Sequence, residues 1–545
     1  MATQPRYVEG DEIFEAYFFD DTPMTRVVMR WWFQVDGVLD PQMLHDSLSQ
    51  LISLPTWRRL GGRLRLNTIT KRLEFHIPPV FDSDRPAVRF SHSKINIPLA
   101  NHPVSDYLPR PTPENPSVQY CLDSASFSQH FPDMERLPVN FYPYLTTDQP
   151  PIALQIISFE DHTLVTLNLP HALTDAIGLS LLIKNWCHIL AKPSQINSSQ
   201  IPPLPGSDPL LLLPRPKEPY VLHDQLMTPF KFTLLKALYF KDMLLGPKMS
   251  PQMRVLFLPA RKIRSLLSYY TPPPPQSPTE QEQSTITTSD LLTALSLHSI
   301  IHTLPPQILP PRSLTILNHF ELRSRLPALF PRSQTHIQNA FDTATCLIPS
   351  SQSKKLSPYQ LALRLRRALK TQTTPQQISS IVSAQQQSLT RNGRPAVYSL
   401  LNGLILPASN WARCDFWNAA DFSPAVAAQG QGKGKGTGKV VMYNAFDADR
   451  QLGSRHRNVT NILGKDEEGN YWVAGTLSQN AWVRLLGMVG GVPDLEDDRQ
   501  QEEEEQVAEL AGGEEMPTVM NDLPEGYTSS PGATLGEDID IRGPR

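Results

Sequence analysis

The residues whose types and spacing could do chemistry are His171 and Asp175, four positions apart in His171-Ala172-Leu173-Thr174-Asp175. An imidazole titrates at about pH 6.5 and can take the proton of a hydroxyl while its oxygen attacks a carbonyl carbon. An aspartate at this distance can orient the ring, as in a catalytic triad, or simply brace the loop that carries it. A histidine that only satisfies local structure is a third reading, and spacing alone does not choose among them. Other nucleophiles lack a setting. No G-x-S-x-G elbow occurs. Cys121, Cys187, Cys346 and Cys414 are far apart and form no C-x-x-C pair, so no zinc or other metal site is expected and the thiols read as buried and free. The glycine-rich piece Gly430 to Gly438 fails the phosphate-loop spacing, because Lys433 replaces its first glycine and Val440 follows Lys439.

The elements around His171 must hold it at an edge. Ile152 to Phe159 and Thr163 to Leu169 read as two strands joined by a turn at Glu160-Asp161-His162. Pro170 lacks an N–H and ends the second strand, which delivers His171 at its tip. A helix is expected from about Thr174, capped by that residue, with Leu179, Leu182, Ile183, Trp186 and Leu190 inward. Further helices open at Asp40-Pro41, at Ser289 and at Ser357-Pro358. The last of these turns Leu361, Leu365 and Leu369 inward and Arg364, Arg366 and Arg367 outward. Further strands are expected at Val27 to Val35, Leu73 to Ile77 and Tyr471 to Leu477. The fold class is α/β or α+β.

A chain of 545 residues exceeds one ordinary core. Its 53 prolines cluster at Pro202 to Pro219, Pro272 to Pro278 and Pro305 to Pro311, where neither helix nor central strand can run. The expected organisation is an N-terminal domain over 1–201, a crossover over 202–255, a C-terminal domain over 256–490 and an acidic, disordered tail over 491–545. Within the crossover, Phe230 to Leu245 reads as a helix whose Phe230, Leu234, Leu238 and Leu245 pack against a domain, with a membrane-surface role as the alternative. A net charge of −3 supplies no basic field for nucleic acid, and no apolar run reaches the roughly 20 residues of a bilayer span. With no secretion-signal pattern in Met1 to Glu12, a cytoplasmic protein with no obligatory membrane partner is expected.

The H-x-x-x-D pattern with Gly178 three residues beyond resembles the signature of the BAHD acyltransferases, in their fungal branch. Landmarks in family order extend the resemblance over most of residues 20 to 485. They are Leu60-Gly61-Gly62-Arg63-Leu64, Thr288-Ser289-Asp290-Leu291-Leu292-Thr293-Ala294, Leu322-Arg323-Ser324-Arg325-Leu326 with Asn339, Ser409-Asn410-Trp411, Asp421-Phe422-Ser423, Gly464-Lys465-Asp466, Tyr471-Trp472 and Trp482. Two departures stand out: the family's D-F-G-W-G turn is reduced to Asp421-Phe422-Ser423, and Ala176 and Ile177 separate Asp175 from the glycine.

The resemblance implies two chloramphenicol-acetyltransferase-like domains, pseudo-twofold related, with the active-site channel between them. It implies a monomeric acyltransferase that moves an acyl group from acyl-CoA, a cosubstrate and not a resident cofactor, directly to a small hydroxylated acceptor of secondary metabolism. His171 would be the general base. Asp175 would pair with Arg323 and organise the motif, with a directly catalytic aspartate as the alternative. Gly178 and Asp421 would support the site, and Ser409 and Asn410 would contact coenzyme A, Asn410 or a backbone N–H being candidate oxyanion donors. Two other readings of the same features are a catalytically silent relative that binds a small molecule or partner, and a condensation-type domain of peptide assembly.

Overall fold

The computed structural model describes residues 7–132, 137–192, 201–245, 251–273, 285–304, 312–426, 436–449 and 457–494. The acidic tail beyond 494, most of the glycine-rich piece and all or most of the proline clusters at 272–278 and 305–311 lie outside them. Three sheets form. β1 (Glu12–Glu15), β3 (Arg63–Leu66) and β4 (Leu73–Ile77) make a small one. A five-stranded sheet is built from β2 (Val28–Asp36), β5 (Arg89–Lys94), β7 (Ala153–Ser158), β8 (His162–Pro170) and β13 (Val440–Asp447), in the order β13-β2-β8-β7-β5. A seven-stranded sheet contains β6 (Ser117–Tyr120), β9 (Gln252–Leu258), β10 (Leu314–Glu321), β11 (Phe341–Ile348), β12 (Leu404–Asn410), β14 (Val459–Lys465) and β15 (Tyr471–Leu477), ordered β11-β10-β12-β14-β15-β9-β6. Both larger sheets mix parallel and antiparallel neighbours and carry flanking helices, so the fold is mixed α/β.

The sheets exchange strands. β6, from the first third of the chain, pairs with β9 in the larger sheet, and β13, from the last quarter, pairs with β2 in the other. Each half of the chain is therefore hydrogen-bonded to the other through backbone ladders, which fixes the residues between the sheets more tightly than side-chain packing alone.

Local rules account for the elements that matter. β8 is central and buried on both faces, which is why Leu164, Val165, Leu167 and Leu169 and even Thr166 and Asn168 are buried along it. The helix Pro41–Ser53 begins where Asp40 accepts from the backbone N–H of Gln42 at 2.9 Å and Met43 at 3.0 Å. It packs on the helix Ala176–Ala191, whose Trp186 Nε1 donates to Leu44 O and Ser47 Oγ. Two expected caps are displaced. Thr287 caps the helix Thr288–Thr303 in a capping box with Asp290, where Ser289 was expected. Asp175 caps Ala176–Ala191, where Thr174 was expected, because the Thr174 hydroxyl is spent on Ile337 O at 2.6 Å.

The helix Pro229–Leu245 forms, but its expected inward stripe does not hold. Phe230 is 80% exposed and Leu234 39%, Leu238 is half-buried, Leu235 is buried among the described side chains, and the side chain of Leu245 lies outside them. Among the described residues no helix is long and apolar enough to cross a membrane.

Candidate active site

His171 follows the last residue of β8 directly. Its N–H donates to Val27 O at 2.8 Å, and a short 3-10 turn, His171–Leu173, sets the chain toward Asp175. The Asp175 carboxylate then collects four donors. Gly178 N–H reaches Oδ1 at 2.8 Å, and the guanidinium of Arg323 takes both oxygens at 3.0 and 3.1 Å. Ala340 N–H reaches Oδ2 at 2.9 Å. Arg323 itself donates to His336 O at 2.7 Å and Gln338 O at 2.5 Å, so both buried charges are paired and hydrogen-bonded. His171 is not among the hydrogen-bond partners of Asp175.

Gly178 lies at a close approach between the chain's halves. A Cβ there would stand 2.0 Å from Ile337 O and 2.2 Å from Thr174 Oγ1, so a glycine is required if this helix start is to touch the segment 337–340. A second clamp holds His171 from the same segment. Asn339 Nδ2 donates to His171 O at 2.9 Å and to Asp20 Oδ1 at 2.8 Å, and Asn339 N–H donates to the same carboxylate oxygen at 2.7 Å. Complete burial raises the Asp20 carboxyl to about 7 despite those two donors.

The His171 ring is half-buried, its centroid 6.0 Å from that of Phe341. Nδ1 is buried without a hydrogen-bond partner among the described atoms, so exchange of a proton with a ligand falls to Nε2. The ring borders a cavity of about 1190 Å³ lined from both larger sheets, including Leu169, His319, Pro407, Ser409 and Asn410. A pocket for one drug-sized ligand spans roughly 300–1,000 Å³, so this cavity stands just above the upper end of that range.

Across the cavity wall, Ser409 Oγ is 3.4 Å from His319 Nδ1, and His319 Nδ1 is 3.0 Å from Ala408 O. A carbonyl can only accept, so that ring carries its proton on Nδ1. Burial holds His319 below the usual imidazole value, opposed by the bond to Ala408 and aided by the proximity of His171. Asn410 is exposed at the cavity, its Oδ1 accepting from Ala412 N–H at 3.0 Å. Asp421 stands apart. It does not line the cavity, its Oδ1 accepts from Ser423 N–H, and the neighbouring Phe422 packs edge-on against Trp186.

The structure brings the sequence candidates His171, Asp175, Gly178 and Arg323 together, and Ser409 and Asn410 line the same cavity as His171. Sequence reasoning missed Asp20 and His319 and gave Asn339 no role. Arg366, expected to point outward, lines the cavity. All four thiols are free and buried, and burial raises each of them, Cys346 to about 11, Cys121 to about 12 and the other two further. A thiolate nucleophile has no place among them.

No protein-family model matches the chain. It is 30% identical over 493 residues to O-acetyltransferase PaAT-2 of Phomopsis amygdali, covering 88% of this chain and 97% of that one. It is 29% identical over 498 residues to acetyltransferase BOT5 of Botryotinia fuckeliana, covering 87% and 89%. It is also 29% identical over 488 residues to a protein named transcriptional regulator calD of Penicillium decumbens, covering 87% and 94%. Among solved structures, F. sporotrichioides TRI101 complexed with coenzyme A and T-2 matches with a TM-score of 0.58 at 12% identity, over 87% of this chain and 97% of that one. Vinorine synthase matches at 0.51 with 13% identity, over 91% and 97%. These structural likenesses establish the shared fold. The identity to an O-acetyltransferase along nearly its whole length carries the relationship further: the chain belongs to the fungal branch of the BAHD-type acyl-CoA-dependent acyltransferases.

Proposed function

We propose that this acyltransferase moves a short acyl group, such as acetyl, from acyl-CoA to a hydroxyl of a small secondary metabolite, with His171 as general base. The acceptor O–H gives its proton to Nε2 while its oxygen bonds to the thioester carbonyl carbon. The tetrahedral oxyanion then collapses, the C–S bond breaks, and the imidazolium returns the proton to the leaving thiolate. No acyl-enzyme is required. Asp175 organises the motif: its four donors hold the chain on both sides of the His171 turn in one geometry. Ser409 and Asn410 border the cavity where the thioester arm would lie.

The observation that carries this reading is His171 on the wall of a cavity of about 1190 Å³ that is lined from both larger sheets. A direct transfer demands both substrates at the base together. The test incubates the protein with a panel of acyl-CoAs and metabolite extract of a producing fungus, following free thiol and acylated products by mass spectrometry. Acceptor-dependent thiol release with a matching mass gain is expected. Saturable binding of either partner without any thiol release would instead identify a silent binding protein, a reading that the relative named as a regulator keeps in view.

A further inference from the structure

Three arginines line the same cavity: Arg325, Arg366 and Arg413. They arrive from separate elements. Arg325 sits in the turn after β10, Arg413 in the turn after β12, and Arg366 on the helix Pro358–Gln372. Two carboxylates face them. Glu321 takes Arg413 Nη1 at 2.6 Å and also accepts from Ser324, while Asp290 lies 3.8 Å from Arg366 with one oxygen already engaged by Thr287. The cavity is also lined by Asp123, Asp447 and the Arg323-paired Asp175, but among the described residues only Glu321 and Asp290 form ion pairs within this group of arginines.

Arg325 is the anomaly. Among the described residues its guanidinium has neither hydrogen bond nor ion pair. It lies over the Phe320 ring at 5.3 Å, its Nε is buried unpartnered, and the Nε of Arg366 is likewise buried and unpartnered. Burial, and next the like charges of Arg413 and Arg366, lower its proton affinity against the pull of Glu321. A half-buried cation held beside two others without a partner is costly unless an anion completes the set. Guanidinium forks match the oxygens of phosphate or carboxylate in pairs.

We propose that Arg325, Arg366 and Arg413 form an anion subsite that takes the phosphate groups of the acyl-CoA donor. The proposal rests on the acyl-CoA reading of the cavity. A carboxylate on the acceptor would offer related chemistry, and the choice of donor in the test separates the two sources, because an acetyl thioester of N-acetylcysteamine has the reacting group of acetyl-CoA and no phosphate.

The experiment measures kcat and KM for both donors with wild type, Arg325→Ala, Arg325→Ala/Arg366→Ala and, as a control, Arg367→Ala, whose exposed side chain is not on the cavity wall. It also measures calorimetric binding of adenosine 3′,5′-bisphosphate. The single variant should raise KM for acetyl-CoA about ten-fold or more, the double variant further, and weaken bisphosphate binding in parallel. Values for the truncated thioester should stay within about two-fold, and Arg367→Ala should match wild type. An equal loss with both donors would assign the arginines to the acceptor or to folding and overturn the proposal, as would unchanged KM for acetyl-CoA. Arginine-dependent bisphosphate binding with no turnover of either donor would uphold the subsite and refute the transferase reading.

Discussion

The buried Asp175–Arg323 pair is the contact on which the shape of the His171 turn depends. Asp175→Asn keeps an oxygen for the Gly178 N–H but strips Arg323 of its counter-ion. The expected loss is about 3–5 kcal/mol, read by urea unfolding, because an unpartnered buried charge remains. A loss under about 1 kcal/mol would show that Arg323 finds water instead. Asp342 offers a pH-dependent counterpart. Burial raises its carboxyl from 3.8 to about 7, and its Oδ2 is buried without a partner. A raised acid costs stability as pH climbs from its unfolded value through its folded one. The stability of Asp342→Asn relative to wild type should therefore grow between about pH 4 and about pH 8. A difference independent of pH would mean that the folded carboxyl titrates normally. The site residues also show what spacing conveys. Asp175 was legible because it stands four residues from a histidine, whereas nothing adjacent to Asp20 or His319 in the chain announces the groups that surround them.

At the scale of elements, the strand–turn–helix from β8 to Ala191 is determined locally, and it was readable for that reason. Pro170 stops a ladder, alternating apolar residues mark the strand, and a helical stripe follows. What failed was cap assignment. Thr174 and Ser289 are good caps in isolation, but a tertiary acceptor at Ile337 claims the first and a neighbouring threonine forms the better box at the second. The close approach at Gly178 gives an element-scale prediction. Gly178→Ala should destabilise by about 1–3 kcal/mol and lower kcat, since the methyl must push the helix start off Ile337. Unaltered melting temperature and kcat would show that the two segments move apart freely.

For the molecule as a whole, the fold class followed from alternating helical and strand patterns, while the exchange of β6 and β13 between sheets did not. Such pairings join residues from about 140 to about 400 positions apart and leave no periodic trace. They matter for function because the cavity wall combines Leu169 from one sheet with His319 and Ser409 from the other, and the shared ladder network helps keep those walls in register. The Asp20–Asn339–His171 clamp crosses between chain halves in the same way. Asn339→Ala should accordingly lower kcat by about ten-fold with little change in KM for the donor, as a misplaced base does. A change confined to KM would mean that Asn339 serves binding instead. The most direct measurement of the central claim compares acceptor-dependent kcat of wild type and His171→Ala, with circular dichroism showing both folded. A fall of at least about 100-fold is predicted; a folded His171→Ala enzyme with near-wild-type kcat would contradict the account.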